Sequence, residues 1–434
     1  MSTYPTYKPS GIEWLGEIPE HWPIERLYNK CDIVRGNSSF KKDELLSKGK
    51  YVALQYGKTY KVEQINQNFN FFVNDEFYKS EQIVNYKDVI FISTSETLED
   101  LGHSVFYNRK DIGLVGGEQI LLKAERKILD GKYLFYYSKV LGKELNKFAT
   151  GVKVFRFDVN DLKTIYLPLP ILSEQQSIAN YLDEKTTKLD QLISNKKAQI
   201  DKLKEIRKIE INTAVTKGLD PNVTLKPSGI EWLGDIPEHW ISTRVKNALV
   251  FDIGGTPSRN KMEYFDGDNL WVSIADLNNQ DIINDTSEKI TDEAVEDSNC
   301  KLIPKDSLLF SFKLSVGHLA FAGSDLYTNE AIAAFRPSNR LNVRFLKYLL
   351  QIEFESNANT NIYGAYLFNK ETLGAAKIVF PDDSKEQTTI ANYLDEKTTK
   401  LDQLVNNLEN QVDHLQEVRK IEIYNAVTGK IKVA

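Results

Sequence analysis

KPSGIEWLGEIPEHW (8–22) and KPSGIEWLGDIPEHW (226–240) agree at fourteen of fifteen positions, 218 residues apart. SIANYLDEKTTKLDQL (177–192) and TIANYLDEKTTKLDQL (389–404) agree at fifteen of sixteen, 212 apart. RKIEINTAVT (207–216) and RKIEIYNAVT (419–428) match at the same offset of 212. Between these blocks the halves look unrelated, and the change of offset makes the second variable stretch six residues shorter. Solenoid repeats run to roughly 20–50 residues, so a period above 200 describes one unit written twice. The reading is a globular module (1–170), a helix (171–218), a second module (219–381) and a second helix (382–434), related by a pseudo-two-fold axis.

The helices are the clearest local signal. Each follows a proline, Pro170 or Pro381, and the spacing predicts a capping box at Ser173-x-x-Gln176 and Ser384-x-x-Gln387. Each then runs without Pro or Gly to Gly218 or Gly429, which suit a C-terminal cap. The second shows apolar residues at Ile390, Leu394, Leu401, Val405, Leu408, Val412, Leu415 and Val418. The first shows Ile178, Leu182, Leu189, Ile193, Ile200, Leu203 and Ile206, with Lys196 interrupting. Steps of three, four and seven mark a coiled-coil seam. Two such seams in one chain most simply pack on each other as an antiparallel pair, each helix roughly 66 Å long at 1.5 Å per residue.

In the modules, apolar runs alternate with turn signals: YVALQYGK (51–58), DVIFIST (88–94), GEQILLKA (117–124), NLWVSIADL (269–277), DSLLFSFK (306–313) and AIAAFRPS (331–338). They read as strands of a mixed or antiparallel sheet, with helices near 132–148 and 344–356. The expected fold class is therefore α+β, two such modules separated by two long helices forming an antiparallel coiled coil.

Composition is that of a globular protein, 41% hydrophobic and 27% charged. No run approaches the eighteen or so apolar residues of a membrane span, and MSTYPTYKPSG lacks a basic-then-apolar leader pattern. Two distant cysteines, Cys31 and Cys300, argue against a disulfide framework and for the cytoplasm. Net charge is −6, unevenly spread. Residues 1–160 carry 23 Lys/Arg and 21 Asp/Glu, while 219–377 carry 15 and 22. Most of that deficit is one run, DIINDTSEKITDEAVED (281–297), with seven acids and one lysine. If the chain grips a polyanion, this run should face away from it.

Catalytic patterns are missing: no GxxxxGK[ST], GxSxG, HExxH or Asn-Pro-Pro-aromatic motif. DIGGTPS (252–258) reads as a turn, and five scattered histidines do not make a metal site; His21 and His239, in matching EHW tripeptides, read as packing residues. Pro381-Asp382 followed by Asp395-Glu396-Lys397 loosely resembles a nuclease pattern, but the equivalent Asp183-Glu184-Lys185 lacks the preceding pair. What remains suits recognition by loops that mix cations with hydroxyl and amide groups. In the first module these hold Lys58, Thr59 and Lys61, then Ser93, Thr94 and Ser95, then Lys153 and Arg156. In the second they hold Thr256, Ser258, Arg259 and Lys261, then Lys313, then Tyr363 and Tyr366. For each of these residues the competing reading is an ordinary solvated loop.

IPEHW at the start of each half, the P…EQ..IA.YLD.KT.KLD.L helix entry and the two-copy layout together resemble the specificity subunit of type I restriction–modification enzymes, over the whole chain. GGTPSR and WVSIADL are similar to the usual start of that family's target recognition domain; VRGNSSFKKDELL in the first module is less typical. The resemblance implies that each module reads one half of a bipartite, asymmetric double-stranded DNA site. It implies that the helices set the gap between half-sites and help dock two modification subunits, which bind S-adenosylmethionine and methylate adenine. ATP- and Mg-dependent restriction subunits would join through those. This chain itself would carry no cofactor, metal or catalytic site. The alternative is a coiled-coil scaffold that binds proteins through its modules, which the acidic balance would suit.

Overall fold

The computed structural model describes residues 2–231, 233–278, 280–298, 300–313, 316–357, 359–360, 366–367 and 369–433. These form two compact units, one of residues 1–197 and 410–434, the other of 198–409. The linear division expected above assigns each long helix to one segment, whereas here both helices contribute to both units.

The first unit holds a five-stranded sheet in the order Cys31–Arg35, Gln119–Ala124, Val89–Ile92, Ser104–Tyr107, Gln64–Ile65. Neighbours are antiparallel except the last pair. The second unit repeats this with Phe251–Ile253, Ile332–Phe335, Leu308–Ser311, Leu319–Ala322 and Ile282–Ile283, again with only the last pair parallel. A second mixed sheet follows in each: Phe72–Val73, Tyr51–Leu54, Gly113–Val115, Ile83–Val84 in one, and Glu288–Ile290, Asn269–Val272, Tyr327–Thr328 in the other. All six strands expected from apolar runs are present.

Those runs are continuous rather than alternating because both sheet faces are covered. In the first unit Val89, Phe91, Ile120 and Leu122 enter one core, while Ile90, Val105, Tyr107 and Leu121 enter another. In the second unit Leu308, Phe310, Ala333 and Phe335 enter one, while Leu309, Ala320, Ile332 and Ala334 enter the other. The expected helix near 132–148 is two, Gly131–Ser138 and Gly142–Asn146, and that near 344–356 is Val343–Asn357.

The long helices are Leu172–Lys217 and Ser384–Val427. Gly218 and Gly429 cap them at φ +76° and +72°, the left-handed conformation a β-carbon disfavours. The start differs from the expected capping box. Ser384 is itself helical, and Gln175 and Gln387, one register off in the first copy, are fully buried and face the module instead. Gln175 accepts from the Asp130 amide at 2.8 Å and donates to the Ile128 and Pro170 carbonyls at 2.9 and 2.7 Å. Gln387 accepts from the Asn342 amide at 2.7 Å and donates to Arg340 and Pro381 at 3.0 and 2.8 Å. Three otherwise orphaned backbone groups outweigh one reciprocal cap.

Each unit pairs the two helices in antiparallel sense. In the first, the Tyr181 hydroxyl donates to Glu422 at 2.9 Å and Arg419 meets Asp190 at 2.9 Å. In the second, Tyr393 donates to Glu210 at 2.8 Å and Arg207 meets Asp402 at 2.9 Å. These are equivalent residues of the repeated blocks. The helix ends also complete the module cores: Ile178, Leu182, Ile423, Ala426 and Val427 with Trp22, and Ile211, Val215, Ile390 and Leu394 with Trp240.

Candidate nucleic-acid interface

Two glycines occupy equivalent places in the modules, the second just before the candidate loop 256–261. Gly36 and Gly254 end the edge strands of the two five-stranded sheets. A Cβ would lie 1.9 Å from the Gly116 carbonyl oxygen in one case and 1.8 Å from that of Thr328 in the other. The backbone crosses there at a distance no side chain permits. The less typical VRGNSSF stretch thus occupies the same place as DIGGTPS.

In the first module three separate segments converge. The Tyr56 hydroxyl donates to the Thr94 carbonyl at 3.1 Å, and Thr94–Ser95 pairs antiparallel with Phe155–Arg156. Lys61, Lys153 and Arg156 are exposed, and Lys58, half-buried, lies 4.6 Å above the Phe71 ring. Lys58 and Lys61 line a cleft of about 370 Å³ with Gln64, Asn66, Asn68 and Phe71. The carboxamides carry no signal in the sequence, because it is the fold that gathers residues 64–71 beside Lys58 and Lys61.

The hydroxyl candidates of this module lie inside it. Thr59 is fully buried. Ser93, Thr94 and Ser95 are also buried; the Thr94 hydroxyl donates to Glu118, and the Ser95 hydroxyl accepts from the Thr97 amide at 3.1 Å. A Ser-Thr-Ser run after a strand looks like a solvated loop in sequence, but a two-residue strand with Phe155–Arg156 closes over it.

In the second module Thr256, Ser258, Arg259 and Lys261 are exposed. Thr256 bonds Glu330, and the electrostatic influence of Lys313 helps hold Glu330 below its ordinary range, after the Thr256 bond itself. Arg259 is clamped end-on by Glu288, Nη1 to Oε1 at 2.6 Å and Nη2 to Oε2 at 2.7 Å. Its guanidinium sits 4.2 Å from the Phe265 ring centre and 5.4 Å from that of Trp271. Lys261 bonds the Tyr264 hydroxyl and meets Asp297 at 3.0 Å, and these bonds, that to Tyr264 foremost, push its ammonium above the ordinary lysine range. Glu288 and Asp297 belong to the acidic run 281–297. That run, expected to face away, partly folds against the basic loop. Tyr363 lies outside the described residues; Tyr366 belongs to the strand Tyr366–Leu367, but its side chain also lies outside them.

The nuclease-like triplet has internal partners. Asp395 accepts from Tyr348 at 2.5 Å and pairs with Arg344, Glu396 pairs with Lys400 at 2.5 Å, and Lys397 with Glu210 at 3.4 Å. Asp183 in the other copy accepts from Tyr136 at 2.5 Å in the same way. His21 and His239 are about half exposed, their rings 3.2 and 2.8 Å from Glu174 and Glu386 at the helix starts, and the His21 ring also packs 5.6 Å from that of Tyr4. It is the adjoining Trp22 and Trp240 that are buried. Among the described residues, no group of three or more His, Cys, Asp or Glu could hold a metal ion, and no helix is long and apolar enough to cross a membrane.

Along the helices Leu182, Ile200, Leu394, Leu401, Val405 and Val412 are buried, and Leu189, Ile193, Leu203, Leu408 and Leu415 half-buried. Four apolar side chains are instead about half exposed, and they form equivalent pairs: Leu192 with Leu404, and Ile209 with Ile421.

The profile of the family described as the type I restriction modification DNA specificity domain matches residues 19–202 and 238–414. The MjaVIII specificity subunit of a type I restriction enzyme from Methanocaldococcus jannaschii is 23% identical over 430 residues, 96% of this chain and 94% of that one. The MjaIX specificity subunit of the same organism is 26% identical over 193 residues, 43% of each chain. A chain solved in work on the assembly and conformational transition of a type I R-M system superposes with a TM-score of 0.73 at 17% identity, over 95% of this chain and 99% of that one.

Proposed function

The chain belongs to the type I restriction–modification DNA specificity family, and from that premise we propose that it reads a bipartite, asymmetric DNA site and docks two adenine-methylating modification subunits. Its part in the system is DNA sequence recognition, not catalysis. One half-site falls to each module. The observation that carries this is the contrast between the two copies: the modules share strand order and direction yet differ in loop sequence and charge, while the blocks around them are nearly identical. One scaffold with two sets of loops suits two unlike half-sites.

Phosphate contacts from Lys58, Lys61, Lys153, Arg156, Arg259, Lys261 and Lys313 position each module, and base-edge contacts from the same loops specify. Ser258 presents its hydroxyl beside these cations, and Thr256 offers a second once Glu330 releases it. The half-exposed pairs Leu192/Leu404 and Ile209/Ile421 offer the same apolar chemistry twice, which suits two copies of one partner. S-adenosylmethionine, ATP and Mg belong to the partner subunits, in the cytoplasm.

The test is methylome sequencing of the host with and without this gene, followed by a gel shift of the chain with its modification subunits on the motif found. Loss of one bipartite methylated motif, and binding to it, is the expected result. No lost motif, or no preference for it over a scrambled duplex, refutes the reading.

A further inference from the structure

The two modules differ in how their cations are held. Among the described residues, Lys61 and Lys153 of the first module form no ion pair, and Arg156 has only Glu118 at 3.7 Å. In the second module both cations of the Thr256–Lys261 loop are met by carboxylates. Glu288 takes both terminal nitrogens of Arg259, at 2.6 and 2.7 Å. Asp297 takes Lys261 at 3.0 Å, and Tyr264 bonds both partners. The Phe265 and Trp271 rings lie against the Arg259 guanidinium, their centres 4.2 and 5.4 Å from it. The two acids stand 29 and 36 residues beyond their cations, in the segment that gives this module its negative balance.

We propose that Glu288 and Asp297 restrain sequence-independent DNA binding by occupying the two cations that phosphates would otherwise recruit. This rests on the DNA-recognition reading above. A phosphate approaching the loop must displace a carboxylate from each cation and then remain near that carboxylate, at a Coulombic cost that grows as water is excluded. Random DNA offers the loop little besides phosphates and so gains little from the exchange. A correct half-site adds base-edge hydrogen bonds, which supply what the phosphates alone cannot. An unfavourable element of this kind is a common way to keep a binder off wrong partners. Free cations, by contrast, would increase residence on every sequence alike, because phosphate contacts carry no sequence information.

The experiment compares the chain, in complex with its modification subunits, as wild type and as the Glu288→Gln/Asp297→Asn double variant. Both amides keep a hydrogen-bond acceptor for the cation while removing the charge. A Glu184→Gln/Glu396→Gln variant serves as control, because it changes net charge equally but frees only Lys188 and Lys400 on the helix surface. Binding to a scrambled duplex is titrated against salt. The double variant is expected to bind it several-fold more tightly than wild type. Its plot of log affinity against log salt should be steeper by about 2, near 0.9 for each freed cation. A change no larger than the control's, in both affinity and slope, overturns the proposal. The parent reading fails separately, if the wild-type complex shows no preference for its methylome-derived site over the scrambled duplex.

Discussion

Asp88 is a buried carboxylate whose ion-pair partner among the described residues, Arg126, lies 3.7 Å away, although it accepts the Asn85 amide at 2.8 Å. Burial pushes its pKa up from 3.8 to about 6. A raised carboxylate pKa means the folded state binds the proton more tightly than the unfolded chain. Stability is therefore gained as pH falls from about 6 toward 4, and above 6 the buried charge costs up to about 3 kcal/mol. Asp88→Asn is expected to raise the thermal midpoint at pH 8 and to leave it unchanged near pH 4. An equal difference at both values would show that the charge is not the cause. The buried glutamine at the helix start works in the other direction. Gln175→Leu leaves an amide and two carbonyls without partners, and chemical denaturation should register a loss of about 3 kcal/mol at roughly 1 kcal/mol per bond.

Elements differ in how plainly they were written in the sequence. Strands such as VIFI and helices with sustained three-four spacing were legible because burial on a regular backbone leaves a period. The loops were not, because a loop's environment comes from segments distant in sequence. Thr59 and Ser93–Ser95 carry the composition of a solvated turn yet lie inside, and Arg259 and Lys261 look free until Glu288 and Asp297 arrive from a different strand and helix. The repeat also meant more than partner binding. Much of its identity is spent inside the molecule: Trp22 and Trp240 in the cores, Gln175 and Gln387 at the helix starts, and the Asp190–Arg419 and Arg207–Asp402 pairs between helices. Among the described residues of the repeated helices, what is left outward and apolar is Leu192, Leu404, Ile209 and Ile421, which gives the element-scale prediction. Leu192→Glu with Ile421→Glu alters only first-unit residues, and Leu404→Glu with Ile209→Glu only second-unit residues. Native mass spectrometry should find one modification subunit bound to either double variant and none to the quadruple variant. Two bound subunits in the quadruple variant would move the docking surface elsewhere.

At the scale of the whole molecule, the two modules share a scaffold but no visible sequence between the repeated blocks. The matching sheet orders persist although the sequences differ, on cores such as the one built from Leu309, Ala320 and Ile332. Its junctions with the rest of the chain run through repeated residues, the buried Trp240 at one side and Gln387, bonded to the Pro381 carbonyl, at the other. A module bounded by constant contacts is exchangeable as a piece. Replacing residues 241–376 with the equivalent stretch of another family member should therefore preserve folding, and in the methylome it should change one half of the modified motif while the other half stays as it was. A change in both halves would mean that the modules read DNA jointly, and the assignment of one half-site to each would fall.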